Sequence, residues 1–232
     1  MQKVTLPDPE IKRVDILLTH LHFDHIQGLG FFGPLFNPSI EVHIWGPVSA
    51  TQSLHSRLSR YLSPPLFPVL IRDLPCKLTL HDVENSSFEI GPFSIESRYV
   101  IHPGPTVGFR ITGKQSVFAY IPDHEPALGP AGLFPETKWI SGFDLVSNVD
   151  LLLHDAQYTV QEYKAKTGWG HSSMEDVIKY ASMTGVKRLL LSHHDPSHTD
   201  ELLNEIFSEL QNKMGTSFPY ELAREGMEIE LP

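Results

Sequence analysis

The 232-residue chain is 41% hydrophobic and 20% charged, enough apolar content for a substantial core in one domain spanning residues 1–232. Its net charge of −10 argues against extensive binding of a phosphate backbone, so a long nucleic acid is not an expected partner. No apolar run approaches the ~20 residues of a membrane span, the first residues lack a signal-peptide core, and the single Cys76 cannot form an internal disulfide. Together these features predict a cytoplasmic protein with no membrane partner.

Residues 1–13 are short and polar, and an aliphatic run over 14–18 then reads as a buried strand. Its end delivers Thr19-His20-Leu21-His22-Phe23-Asp24-His25 into one loop. Neutral imidazoles and a carboxylate are what zinc, manganese or iron take from a protein. Two such ions about 3.5–4 Å apart need more ligands than one loop offers, so the remainder must come from elsewhere in the chain. Residues 26–32 continue as an apolar, glycine-bearing turn into a helix, and 41–47 alternate and stop at Gly46-Pro47, a strand. Leu54, Leu58 and Tyr61 predict a helix within 48–61, which Pro64, Pro65 and Pro68 terminate.

Two alternating strands meet at Gly91-Pro92, and the second runs on into His102-Pro103-Gly104-Pro105. Residues 107–111 and 117–121 form a hairpin that ends at Pro122-Asp123-His124-Glu125. Residues 126–149 read as a long loop with one short helical piece. A buried strand over 150–153 ends in His154-Asp155, and a helix over 160–166 leads to Gly168-Trp169-Gly170-His171. Ser172 or Ser173 caps a helix over 174–184. The last core strand, 187–192, ends in His193-His194-Asp195, a helix covers 200–213, and the tail from Gly215 is weakly patterned.

An apolar strand thus ends in a ligand-type residue four times beyond the opening motif, at His102, Asp123, Asp155 and His193. At one edge of a β-rich fold, these strand ends would share a pocket. His-x-His-x-Asp-His after an apolar strand resembles the signature of the metallo-β-lactamase superfamily. The downstream segments resemble the branch of ribonuclease Z and the phosphoribosyl cyclic phosphodiesterases. The resemblance runs from about Val14 to Pro196 and implies an α/β fold, a four-layer αβ/βα sandwich of two mixed sheets between helices. Relatives place several strands before the motif, so the N-terminal strands are expected to be abbreviated. A sheet edge left bare in that way invites pairing, a homodimer included.

The resemblance implies His20, His22 and His102 on one divalent metal ion and Asp24, His25 and His193 on a second, with Asp123 bridging. Zinc is the first expectation, with manganese or iron as alternates. His194 and His198 are candidates for groups just outside the ligands. Asp24 would also orient the nucleophile. The segments holding Asp155 and His171 are similar to the paired segments of ribonuclease Z. They imply that Asp155 orients His171, which protonates the leaving oxygen. Asp155 stands where relatives have Glu, one methylene longer. The reading is a metal-dependent phosphodiesterase on a small nucleotide-like or cyclic phosphodiester. A thioester or lactone hydrolase, or a non-catalytic sensor or scaffold, is the alternative. Cys76 reads as a small buried hydrophobe. Trp169 reads as a stacking surface for a base or ring or, more simply, as core, Arg110 as a phosphate contact or an ordinary ion pair, and Lys164, Lys166, Lys187 and Arg188 as solvated.

Overall fold

Val14 and Ile16 alternate with polar neighbours, and in the computed structural model, which describes residues 10–126 and 132–231, they lie on β1 (Arg13–Leu17). The chain divides into two compact units, residues 1–84 and 85–232. In the smaller unit β1 pairs with β2 (Glu41–Pro47), which pairs with β3 (Lys77–Val83), all in parallel. Register places Ile16, Ile44 and Leu80 in one row and Val14, Val42 and Leu78 in the next. Ile44 and Val42 are buried with Leu29, Leu35 and Leu58 in one apolar cluster. The face of Asp15, Trp45 and His81 is polar. The Trp45 indole N–H donates to Asp15 at 2.9 Å, and its ring stacks on His81 at 3.8 Å.

Parallel pairing needs crossovers, and both carry helix. The first holds α1 (Phe23–Ile26) directly after the histidine loop. The second holds α2 (Leu54–Tyr61), shorter than the expected span because Ser53 caps it by accepting from the Ser56 amide. The expectation of two mixed sheets fails for this unit, whose described strands are all parallel. β3 was not foreseen, because its Leu78 and Leu80 become a strand signal only once β2 lies beside them.

The larger unit holds a seven-stranded mixed sheet in the order β10-β9-β8-β7-β6-β5-β4. β4 (Ser86–Ile90), β5 (Phe93–Tyr99), β6 (Val107–Thr112) and β7 (Val117–Ile121) form an antiparallel meander. Its first turn uses Gly91 at φ 55°, a left-handed position where a side chain is strained. β8 (Leu151–Asp155), β9 (Leu189–Ser192) and β10 (Tyr220–Leu222) continue parallel to β7. β10 lies in the tail read as weakly patterned, because three residues make a strand only when β9 offers its edge. Among the helices, α3 (Phe143–Val146) falls within the long loop, of which residues 127–131 lie outside the described residues. α4 (Val160–Lys166) starts with a reciprocal Thr159–Glu162 capping box. α5 (Met174–Thr184) is capped by Ser173, and α6 (Asp200–Lys213) by Thr199.

Strand direction positions the chemistry. β5, β7, β8 and β9 all point the same way, since two antiparallel steps separate β5 from β7. Their C-terminal ends, and with them His102, Asp123, Asp155 and His193, therefore emerge at one edge of this sheet. No helix among the described residues is long and apolar enough to cross a membrane. Leu152, fully buried on β8, anchors the strand that carries Asp155. Leu152→Ala is expected to cost ~2–5 kcal/mol, as buried leucine truncations do, read as a lowered urea midpoint.

Candidate metal and proton-transfer site

In the larger unit three imidazoles converge on one oxygen, Asp123 Oδ2. His193 Nε2 stands at 3.3 Å, His102 Nε2 at 3.7 Å and His171 Nδ1 at 3.9 Å. Asp123 is buried, and ligand atoms of Asp123, His171 and His193 lie within 4.8 Å of one another. The far side of each ring is held. His102 donates Nδ1–H to the Gly170 carbonyl at 2.8 Å, which leaves Nε2 as the lone-pair nitrogen facing Asp123. The Gln157 side-chain N–H donates to His193 Nδ1 at 3.3 Å. His193 has φ 56°, a left-handed backbone costly for a residue with a Cβ and frequent at functional sites. His102 Nε2, the His193 ring and the Asp123 carboxylate make a donor set that suits a divalent ion such as zinc.

Asp155 orients His171 despite being a methylene short of the relatives' Glu. It is fully buried, and its Oδ2 takes His171 Nδ1–H at 2.6 Å and the His124 amide at 3.1 Å. Its Oδ1 takes the Gln157 and Ser172 amides, each at 3.1 Å. With four donors the carboxylate is saturated, and it holds His171 as a partner that must offer N–H at Nδ1. Burial pulls the His171 pKa down, but the Asp155 hydrogen bond and the charges of Asp155, Asp123 and Glu125 outweigh it, so the net shift is upward. His171 does not serve as a helix cap, since Ser173 fills that place.

Behind Asp155 lies a pair of buried histidines that the sequence reading passed over. His154 donates Nδ1–H to the Asp155 carbonyl at 2.7 Å, so its Nε2 accepts His124 Nδ1–H at 2.9 Å. Burial holds both rings below the usual histidine range, which agrees with this neutral arrangement. Glu125 and Gln157 were also passed over, because each gains its role from residues distant in sequence.

In the smaller unit the opening motif forms a cluster of rings. His20 is buried, with its ring centroid 4.4 Å from His22 and 4.2 Å from His25. Thr19 Oγ1 lies 3.2 Å from His20 Nδ1, and Asp24 Oδ2 lies 3.1 Å from His25 Nε2. Imidazoles at such spacing, with a carboxylate beside them, fit metal ligation as the resemblance implied.

Several expectations are corrected. Trp169 is not core but 57% exposed, with the Lys166 ammonium 3.9 Å above its ring. Arg110 donates to the Leu145 and Ser147 carbonyls at 3.1 and 3.0 Å, closing the end of α3, with Glu96 at 4.0 Å. His198 is tied to Glu162 at 2.8 Å. His194 lines a cavity of about 540 Å³ with Asp200, Asn204 and Arg224. Lys187 is exposed as expected while pairing with Asp150, whereas Arg188 is half-buried in its pair with Glu221. Cys76 is buried as expected, and burial pushes its thiol pKa up.

The family description "beta-lactamase superfamily domain" matches residues 1–194. The chain belongs to this superfamily. Ribonuclease Z of Staphylococcus aureus (strain MSSA476) is 24% identical, over 90% of this chain and 79% of that protein. Among solved structures, a diphosphatase from the PhnP family aligns with a TM-score of 0.64 at 21% identity, over 96% of this chain and 73% of that one. The short form of human tRNase Z aligns with a TM-score of 0.62 at 20% identity, over 94% and 79%. The metallo-β-lactamase fold and the ribonuclease Z and PhnP-like branch are those implied by the motifs at His20–His25, Asp155 and His171.

Gly170 has φ 89°, and a Cβ there would stand 2.2 Å from Pro103 Cδ and 2.6 Å from His102 Nδ1. Gly170→Ala therefore must displace the segment that carries His102. Lower thermal stability together with weaker retention of added zinc is the expected result, followed by a melting scan and chelator competition.

Proposed function

We propose that the chain is a metal-dependent phosphodiesterase acting on a small nucleotide-like or cyclic phosphodiester. The observation that carries this reading is the Asp155–His171 contact of 2.6 Å, beside an Asp123 oxygen on which three imidazoles converge. In this proposal His20, His22, Asp24, His25, His102, Asp123 and His193 would hold two divalent ions, with zinc as the first choice. When bound, such a pair supplies activated water and charge stabilisation of a phosphoryl transition state.

The chain's own residues do the rest. Asp155 keeps the proton of His171 on Nδ1, so in its protonated form the ring has Nε2–H to give. His171 donates that proton to the departing alkoxide, which would otherwise leave as a strong base. Asp155 moves no proton, because its four donors already fill both oxygens. The net charge of −10 fits a small ester better than a polyanionic chain. A thioester expels a thiolate, which has far less need of an acid, so the Asp155–His171 pair favours the phosphodiester over that ester.

The purified chain is expected to hold close to two transition-metal ions, measured by elemental analysis. Asp123→Asn should release at least one, because the bridging carboxylate also screens the repulsion between two cations. No bound metal, and no uptake of zinc or manganese, would sink the proposal.

His171→Ala is expected to keep its metal and lose ~10²–10⁴-fold in turnover of a cyclic nucleotide, whose leaving group is an alkoxide. The loss should shrink on bis-p-nitrophenyl phosphate, since p-nitrophenolate scarcely needs a proton. Asp155→Asn should show the same contrast more weakly. Equal losses on both substrates would remove His171 from the proton transfer.

A further inference from the structure

One buried carboxylate of the larger unit has so far entered only through its charge on His171. Glu125, two residues beyond Asp123, is 1% exposed. A carboxylate out of water is costly unless hydrogen bonds replace its hydration. All the hydrogen bonds found for it come from residues 163–170. Oε1 accepts Tyr163 Oη–H and the Gly168 N–H, each at 2.7 Å, and Oε2 accepts the Gly170 N–H at 2.7 Å. Two backbone amides of one turn, Gly168 at φ 86° and Gly170 at φ 89°, thus close on a single side chain. Two amides of one turn directed at one anion resemble an anion-binding nest, and here the anion is built into the protein, while the Trp169 amide between them donates to the Lys166 carbonyl.

The neighbours give this arrangement a consequence. The Gly170 carbonyl is the group that accepts His102 Nδ1–H at 2.8 Å. The next residue, His171, is the partner of Asp155 at 2.6 Å. On the other side, the Glu125 amide donates to the Ile101 carbonyl at 2.9 Å, one residue before His102. Glu125 therefore joins three segments, those of His102, Asp123 and His171. Its side chain grips the N–H of the residue whose carbonyl meets a ligand-type ring and whose successor is the proposed acid.

We propose that Glu125 is a positioning residue: through Gly170 it sets the ring tautomer of His102 for a metal ion and the placement of His171 for the leaving group. This rests on the reading of His102 as a ligand and His171 as a proton donor. A buried Glu that merely pinned a loop would affect stability alone. A positioning residue must also alter what His102 binds and which leaving groups His171 serves.

The test compares the full-length wild type with Glu125→Gln and Glu125→Asp. Glutamine keeps size and places an NH2 where one of the oxygens now accepts, so it sets donor against donor. Aspartate keeps the acceptors and draws them back by one methylene. Glu125→Gln is expected to retain zinc ~10–100-fold more weakly, the usual effect of losing a partner behind a metal ligand. Its turnover of a cyclic nucleotide should fall more than that of bis-p-nitrophenyl phosphate, with KM little changed. Glu125→Asp should recover part of both losses. In metal-free protein, nitrogen-15 spectra of the histidines should show His102 protonated at Nδ1 in the wild type and mixed in Glu125→Gln. A lowered melting temperature with unchanged zinc retention, substrate ratio and His102 tautomer would overturn the proposal. Should the variants fail to fold, amide exchange in the wild type decides the point. Protection of Gly168 and Gly170 at least equal to that of Trp169, whose amide the Lys166 carbonyl holds at 3.0 Å, supports the clamp, and exchange of both glycines at the rate of open amides refutes it. The tautomer and exchange readings use metal-free protein, so they judge Glu125 even if the phosphodiesterase reading fails.

Discussion

The carboxylate of Asp155 is the interaction on which the larger unit's site depends. It lies fully buried at the end of β8 and is tolerated there because three amides and one imidazole donate to it. The four donors come from three parts of the chain: the segment after β7, the turn after β8, and the approach to α5, which supplies two. One side chain thus collects the loops that a single sheet edge brings near one another. Removing it would strand four donors at once, which costs far more than losing one ordinary bond.

Around that centre, backbone strain is accepted where a ligand must point inward. His193 adopts φ 56°, and Gly170 sits where no Cβ fits. Neither is compensated locally. The strain at His193 is offset by β9, locked between β8 and β10, and Gly170 is held by Glu125 and His102. Rigid strands supply the ends, and short loops held by buried carboxylates set the final angles. That division suits a site in which a ring must be placed to within a few tenths of an ångström.

Neutral and charged histidines are kept apart by the same means. His124 and His154 are buried without a carboxylate partner for their rings, so burial wins and they stay neutral. His171 is also largely buried, yet Asp155 and Asp123 reverse the balance. Three histidines within one small region therefore have opposite tendencies, decided by which ones face a carboxylate.

The sequence by itself determined the loop chemistry at His20–His25 and the recurrence of apolar runs ending at His102, Asp123, Asp155 and His193. Both are local signals: a short strand of aliphatic residues followed by ligand types is visible without knowing any neighbour. The helices over 160–166 and 200–213 were legible for the same reason, through spacing and caps. Only the tertiary structure decided the parallel order of β7, β8 and β9, which places three of those ends on one edge, because strand pairing is a contact between distant segments. It also decided the parts of Glu125, Gln157 and Gly170. Glutamate, glutamine and glycine carry no periodic or motif signal, and their meaning comes from partners 36 to 68 residues away. Trp169 shows the converse: its apolar type predicted burial, but Gly168 and Gly170 are both drawn inward by one carboxylate, and the residue between them stands in solvent.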